Sequence, residues 1–218
     1  MKKNQNLPKK VKIVNYNCDG RLYAPSAVRN AESIVKLVKK TVTQPGNALE
    51  IASGTGQHVV KLASALPHLK WQPSDVEKSC LKSINCWSND QHLTNLKTPC
   101  LLDATKEGWA KQHLCQDLIL LVNLLHLIGI KETKILVNEM PKAMSSNGYA
   151  IIYGPFMRSG KLKTKNDIEF HHSLINTNPD LGYKNDEDML NLFKEAGLVH
   201  ISTEKMPANN LAFILKKL

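Results

Sequence analysis

Carboxylates and glycines recur at regular points in the first half of the chain: Glu50, Gly54-Thr55-Gly56, Asp75 and Asp103. The apolar run Leu49-Glu50-Ile51-Ala52 ends in Ser53-Gly54-Thr55-Gly56-Gln57-His58 and passes into a helix-compatible stretch. Glycine has no side chain in the way, so such a turn lets a ligand come close to the backbone. Asp75 follows Gly56 by 19 residues, the offset at which a carboxylate accepts hydrogen bonds from two ribose hydroxyls. Asp103 ends the next apolar run, where an adenine edge would lie. Glu50 precedes the turn on the strand itself, and an acidic group there suits a ligand with positive charge. S-adenosylmethionine has that character, with a cationic sulfonium and a zwitterionic amino-acid end. The residues expected to hold it are Glu50, Ala52, Ser53, Gly54, Thr55, Gly56, His58, Asp75, Asp103, Asn123 and Arg29.

A dinucleotide is the sharp rival. It wants a third glycine three residues after Gly56, where the helix packs on the strand and the pyrophosphate rests on the helix N-terminus. Position 59 is Val59, and Glu50 sits badly beside an anionic diphosphate. A tight turn with no ligand would explain the glycines alone, but not carboxylates at three successive strand ends.

Methyl transfer from a sulfonium is an in-line displacement. The cofactor supplies the reactive group, and the protein aligns the acceptor and excludes water. A base is needed only where the acceptor must lose a proton first. His126 is the candidate base, because it follows the fourth apolar run and histidine titrates near neutral pH; the plainer reading is a histidine satisfied in the core or at a helix end. Asn123 would orient the acceptor or hold the amino-acid end of the cofactor. Tyr153 would wall the acceptor pocket, against the alternative of a core aromatic with a wet hydroxyl. Arg29 and Asn30 fall on an N-terminal helix that would cover the cleft, and Arg29 would pair with the methionine carboxylate, an anionic substrate or a surface acid. Asn209 and Asn210 reach the site rim or satisfy a turn. His171 and His172 point about 100° apart on a helix, which does not suit one metal. They read as surface or lid residues, and no metal is expected.

These residues need a scaffold, and the chain supplies an alternating one. Ala24–Val42 carries apolar residues at helical spacing (Ala27, Ile34, Val35, Leu37, Val38) and stops at Pro45-Gly46. Strands are predicted at 47–52, 69–73, 97–102, 117–122 and 148–154, with helices at 56–65, 76–90, 107–114 and 131–145. This alternation predicts right-handed βαβ units and a parallel sheet with helices on both faces. Residues 155–182 break the pattern as a polar insertion with one helix at 167–176. A helix at 185–196 then precedes strands at 198–203 and 211–216, whose short link implies antiparallel pairing. The fold class is α/β: a Rossmann-like class I methyltransferase sandwich with a mostly parallel seven-stranded sheet and an antiparallel last strand. The expected organisation is a basic arm over residues 1–20 and a single domain over 21–218.

The 218 residues are 42% hydrophobic, which supports a buried core and excludes wholesale disorder. No apolar run reaches the roughly 18 residues of a membrane span; the longest, Leu118 to Ile130, is interrupted by Asn123, His126 and Gly129. No secretory leader is visible, and the five cysteines are odd in number with no C-x-x-C pair, so a reducing cytoplasmic location is expected. The net charge of +10, gathered at Lys2, Lys3, Lys9, Lys10, Lys12 and from Arg158 to Lys165, favours anionic partners. No RNA-binding signature accompanies it. An Asn-Pro-Pro-aromatic motif, the mark of base-amine methylation, is absent at Asn123.

Leu49–His58 followed by Trp71-Gln72-Pro73-Ser74-Asp75 resembles an uncharacterised family of small methyltransferase-like proteins, long known as a domain of unknown function. Arg21-Leu22-Tyr23-Ala24-Pro25-Ser26 with Arg29-Asn30 looks like its N-terminal signature. Asn123-Leu124-Leu125-His126, Tyr153-Gly154-Pro155-Phe156 and Met206-Pro207-Ala208-Asn209-Asn210 resemble its later motifs, so the likeness runs over nearly the full length. It implies the class I S-adenosylmethionine-dependent methyltransferase fold and cofactor, and leaves the acceptor open. Two departures stand out. Ala52 occupies the place of the usual first glycine, and Gly182-Tyr183-Lys184-Asn185 stands where the family tends to carry Gly-x-Arg-Asp. The expected activity is methyl transfer to a small molecule. The alternatives are a non-catalytic module that only binds the nucleoside or serves assembly, and a methyltransferase acting on nucleic acid or protein.

Overall fold

Apolar residues alternate between the two faces of each long strand, and this alternation builds the core. In Gln116–Val122, Leu118 and Leu120 face one side while Ile119 and Leu121 face the other, all four with no exposed surface. A strand apolar on both faces belongs inside a sheet covered by helices twice over. The computed structural model describes residues 14–15, 20–89 and 91–218. Most of the expected basic arm, residues 1–20, therefore lies outside the described residues, as does Asp90 at the end of the predicted 76–90 helix. Val14–Asn15 pairs antiparallel with Leu22–Tyr23.

The main sheet comprises β1 (Gly46–Ile51), β2 (Leu69–Asp75), β3 (Cys100–Leu101), β4 (Gln116–Val122), β5 (Met144–Gly154), β6 (Val199–Met206) and β7 (Asn210–Lys216). Their spatial order is β6-β7-β5-β4-β1-β2-β3. The β1–β2, β1–β4, β2–β3 and β4–β5 pairs are parallel, and β7 runs antiparallel to both neighbours. β3 is shorter than the predicted 97–102 strand, and the predicted 107–114 helix is a single 3-10 turn at Trp109–Gln112.

The helices are α1 (Pro25–Thr41), α2 (Gln57–Ala65), α3 (Lys78–Asn89), α4 (Ile130–Ala143), α5 (Lys165–Thr177) and α6 (Asp186–Glu195). The apolar faces of α1, α2 and α3 pack on one side of the sheet through Ile34, Val38, Val59, Leu62 and Ile84. On the other side α4 and α6 bring Leu136, Met140, Met189 and Phe193 against Ile119, Ile152 and Phe213. Phe213 lies edge-on to Phe156 and Phe193, with centroids 4.9 and 5.5 Å away.

β1 sits between β2 and β4, so the chain leaves it in one direction and returns on its other side. Where strand order reverses in this way, the connections diverge and leave a crevice at the carboxyl ends of β1 and β4. Ala52 follows the end of β1 and Asn123 the end of β4, and both take the left-handed backbone conformation, φ 56° and 58°. Among the described residues no helix is long and apolar enough to cross a membrane.

Candidate cofactor and acceptor site

β1 carries Glu50 to the crevice and buries it to 1% exposure. Its Oε2 has no hydrogen-bond partner. Burial pushes the carboxyl up to about 8; the Ser53 hydroxyl pulls the other way, and the nearby Asp75 adds to the rise. Ser53 and Ser74 join the ends of β1 and β2: the Ser74 hydroxyl donates to the Glu50 carbonyl at 2.8 Å, and Ser53 N–H donates to the Ser74 carbonyl at 2.8 Å.

The two glycines of the turn do different work. Gly54 has φ +56°, and a Cβ placed there would meet nothing within 4 Å, so its backbone borders open space. Gly56 has φ +88°, and a Cβ there would come within 2.9 Å of the Ile84 backbone. α3 crosses at that point, so helix packing by itself demands a glycine at 56. Thr55 also faces the protein, its hydroxyl donating to Gln57 Oε1 at 2.9 Å and its carbonyl accepting from Ser83 Oγ at 2.8 Å.

Asp75 ends β2 directly across from the turn. Its Oδ2 accepts the Gly54 N–H at 2.9 Å and its Oδ1 accepts the Glu77 N–H at 2.9 Å. Burial raises its pKa, while the N–H groups of Glu77, Gly54 and Val76 hold it back. Asp103 follows β3, and its Oδ1 accepts from the Thr105 N–H at 3.1 Å and hydroxyl at 2.5 Å. Burial would raise Asp103, but these bonds and the Lys106 ammonium, 3.6 Å away, outweigh it and the pKa falls.

The segment before α1 is stitched over the turn. Leu22 N–H donates to Ser83 Oγ at 2.8 Å, Ala24 N–H to Gln57 Oε1 at 2.7 Å, and Trp87 Nε1 to the Leu22 carbonyl at 3.0 Å. His58 belongs to this stitching: its Nε2 lies 3.1 Å from the Ala27 carbonyl, and burial lowers its pKa to about 4, so the ring is neutral. Arg29 is exposed one turn further along α1, and its charge reaches the Tyr153 hydroxyl.

Past β4 and β5 lies a second cluster. Tyr153, 1% exposed, accepts from Asn210 Nδ2 at 2.9 Å, and burial pushes the phenol up to about 12 despite Asn210 and Arg29. Asn210 also donates to the Pro207 carbonyl. His126 is buried with Phe170 of α5 edge-on at 5.6 Å and Tyr183 at 6.3 Å. The expectation that it titrates near neutrality does not hold, because burial pushes it down to about 3 and the Lys184 charge adds to the fall. His171 is buried as well, not a surface residue, and its Nδ1 accepts the Tyr183 N–H at 3.0 Å. In the departure Gly182–Asn185, Lys184 Nζ donates to the Ile128 carbonyl at 2.7 Å and Asn185 Oδ1 accepts from Gly160 N at 2.7 Å.

Glu50, Gly54, Asp75 and Ala52 thus meet at one crevice, while Tyr153, Asn210, His126 and Asn123 gather over β4 and β5. Asp167 and Arg158 join the second group unforeseen. Asp167 closes a capping box with Thr164 and accepts from Asn209 Nδ2 at 2.5 Å and the Tyr183 hydroxyl at 3.3 Å. Thr164-x-x-Asp167 is a helix-start pattern legible in sequence, but its long-range partners are not. A separate cleft of about 650 Å³ opens between α4 and α6, lined by Met157, Tyr183, Lys184, Met189 and Leu192; no residue of the glycine turn borders it.

A buried carboxylate oxygen without a partner is costly unless something positive or hydrogen-donating completes it. Glu50 Oε2 is such an atom, beside a turn with open space at Gly54. The donor set fits a nucleoside with a cationic end.

A sheet of this order, with a glycine turn after its central strand and carboxylates after the next two, defines the Rossmann-like fold of class I methyltransferases. Solved structures bear this out. An O-methyltransferase family protein from Burkholderia thailandensis matches with a TM-score of 0.74 at 15% identity, over 88% of this chain and 57% of that one. Human N-acetylserotonin methyltransferase, solved with S-adenosylmethionine, matches with a TM-score of 0.70 at 15% identity, over 88% and 52%. An O-methyltransferase family 2 protein from Planctomyces limnophilus, in complex with apigenin, matches with a TM-score of 0.74 at 15% identity, over 88% and 58%. The chain spans a little over half the length of these proteins, and the likeness at such identity is one of fold. The chain itself belongs to the family described as Protein of unknown function (DUF938), whose model matches residues 21–217.

Proposed function

We propose that this protein is an S-adenosylmethionine-dependent methyltransferase acting on a small molecule, with residues 21–218 as one domain and 155–182 as an insertion over the acceptor side. The observation that carries this reading is Glu50, buried with an unpartnered oxygen next to the open Gly54 backbone and to Asp75. When bound, the cofactor supplies a methyl group activated by a sulfonium. Asp75 would accept from the ribose, and Asp103 would face the adenine. Glu50 meets the positive end, and Arg29 pairs with the carboxylate.

Asn123 and Tyr153 align the acceptor. Because the Tyr153 oxygen already accepts from Asn210, its own proton is left to donate; a phenol raised to about 12 holds that proton and does not act as a base. His126, enclosed by Phe170 and Tyr183 and lowered to about 3, is too weak a base to take a hydroxyl proton, and no proton-transfer role falls to it. The apigenin complex of the Planctomyces protein and the name of the human one both support a small acceptor over a polymer.

Calorimetry of the full chain with S-adenosylmethionine and S-adenosylhomocysteine tests the reading. Binding of either supports it; no heat from both at about 1 mM ends it.

A further inference from the structure

Arg158 lies four residues beyond the end of β5, at the carboxyl end of the sheet, and its backbone is pinned. Its backbone N–H and carbonyl close a two-way bridge with Lys161 at 3.0 and 3.1 Å. The tip of that hairpin is fastened to α6, Ser159 N–H donating to Asp186 Oδ1 at 2.9 Å and Ser159 Oγ to Glu187 Oε1 at 2.8 Å. The guanidinium is turned the other way, toward the β6–β7 turn, where Nη2 donates to the Asn209 carbonyl at 3.1 Å. That turn holds Asn210, which binds the Tyr153 hydroxyl.

One nitrogen of this half-buried side chain is unmet. Nε is buried and has no hydrogen-bond partner. Among the described residues no carboxylate pairs with it: Asp167 is in the same network but is taken up by Thr164, Tyr183 and Asn209. A buried donor of a charged group left open costs more than a neutral one, and the planar guanidinium, with Nε unpartnered, matches an oxyanion. Exposed Lys161, Lys163 and Lys165 add positive potential around it.

We propose that Arg158 binds an anionic oxyacid group, carboxylate or phosphate, on the methyl acceptor, so that the substrate class is a small acid whose reacting atom is carried toward Tyr153. This rests on the methyltransferase reading for the word acceptor, while the anion site stands on Arg158 alone. The two arginines then divide the charge: Arg29 serves the cofactor carboxylate and Arg158 the acceptor.

The test uses the full chain, with and without S-adenosylhomocysteine, titrated with benzoate and with phenyl phosphate. The readout is the Arg158 Nε–Hε resonance together with calorimetry. Wild type binds at least one probe and shifts that resonance, and the probe that binds tells carboxylate from phosphate. Arg158→Met weakens the bound probe roughly tenfold or more, as removal of a charged fork should, and leaves S-adenosylhomocysteine affinity within about twofold. Arg158→Lys, which keeps the charge and loses the fork, falls between and serves if the Met variant folds poorly. Failure of both probes to bind wild type, an unmoved Nε–Hε signal, or equal binding by the variants overturns the proposal. Absence of S-adenosylhomocysteine binding would instead strike the methyltransferase reading, and the cofactor-free titrations would still decide the anion site.

Discussion

Asp75 closes the glycine turn from the neighbouring strand: its Oδ2 accepts the Gly54 N–H at 2.9 Å, 21 residues away in sequence. One carboxylate thus shapes the turn at the edge of the crevice. Asp75→Ala should weaken S-adenosylhomocysteine binding about tenfold or more, the loss of roughly 1.4 kcal/mol. Asp75→Asn keeps one acceptor oxygen and should lose less. Calorimetry on both variants checks this, and an unchanged affinity in Asp75→Ala would remove its ribose role.

Glu50 makes ligand binding pH-dependent. Its folded pKa, raised to about 8, leaves the carboxyl protonated at neutral pH until a positive partner arrives. Binding the cofactor at pH 7 should therefore release a fraction of a proton, seen as different heats in buffers of different ionisation enthalpy. Glu50→Gln should abolish that difference.

The same shifts set the stability of the ligand-free protein. A group raised on folding stabilises below its unfolded pKa and loses that stabilisation as pH rises through the folded value, so Glu50 weakens the fold between 4.5 and about 8. His58 and His126 are lowered from 6.5 to about 4 and about 3, so their contribution is full above 6.5 and is lost as pH falls. Two histidines outweigh one glutamate below 6.5, and Glu50 acts against the fold above it. Melting temperature should peak near pH 6.5, and Glu50→Gln should flatten the alkaline side.

Ala52 adopts φ 56°, a conformation that penalises a Cβ. Ala52→Gly should stabilise the protein by about 1 kcal/mol, or roughly 2–4 °C in melting temperature for a chain of this size. A thermal melt showing no gain would mean that the turn relaxes without cost.

Asp167 fastens α5 to the β6–β7 turn through Asn209 and to Tyr183 across the His126 ring cluster. Asp167→Ala removes a helix cap and both contacts, a loss of about 1–3 kcal/mol. Limited proteolysis should then cut within residues 155–182 faster than in wild type, with the rest of the chain intact.

Much of the crevice follows from local pattern. The two-residue alternation of Leu118 to Leu121 dictates a doubly covered strand, and Pro45-Gly46 ends α1 near where helix periodicity fades, at Thr41. The offset of Asp75 from Gly56 carries the carboxylate to the end of β2 because strand and helix lengths are set by that same periodicity. These are short-range constraints, and the residues that impose them are neighbours in the chain.

Other facts depend on which elements cross. That Gly56 must also make room for α3, which passes 2.9 Å from where its Cβ would stand, is invisible in the sequence. His126 reads as either a base or a core histidine until Phe170 and Tyr183, 44 and 57 residues later, enclose it and burial expels its proton. Arg158 and Asn209 meet across 51 residues, and nothing in the local sequence of either names the other. Periodicity and turn chemistry in the sequence by themselves determined the strands, the helices and the turn that borders the crevice. Burial, which chiefly decides whether His126 is charged and leaves Arg158 Nε without a partner, came only with the tertiary structure, because desolvation depends on atoms brought close by the fold.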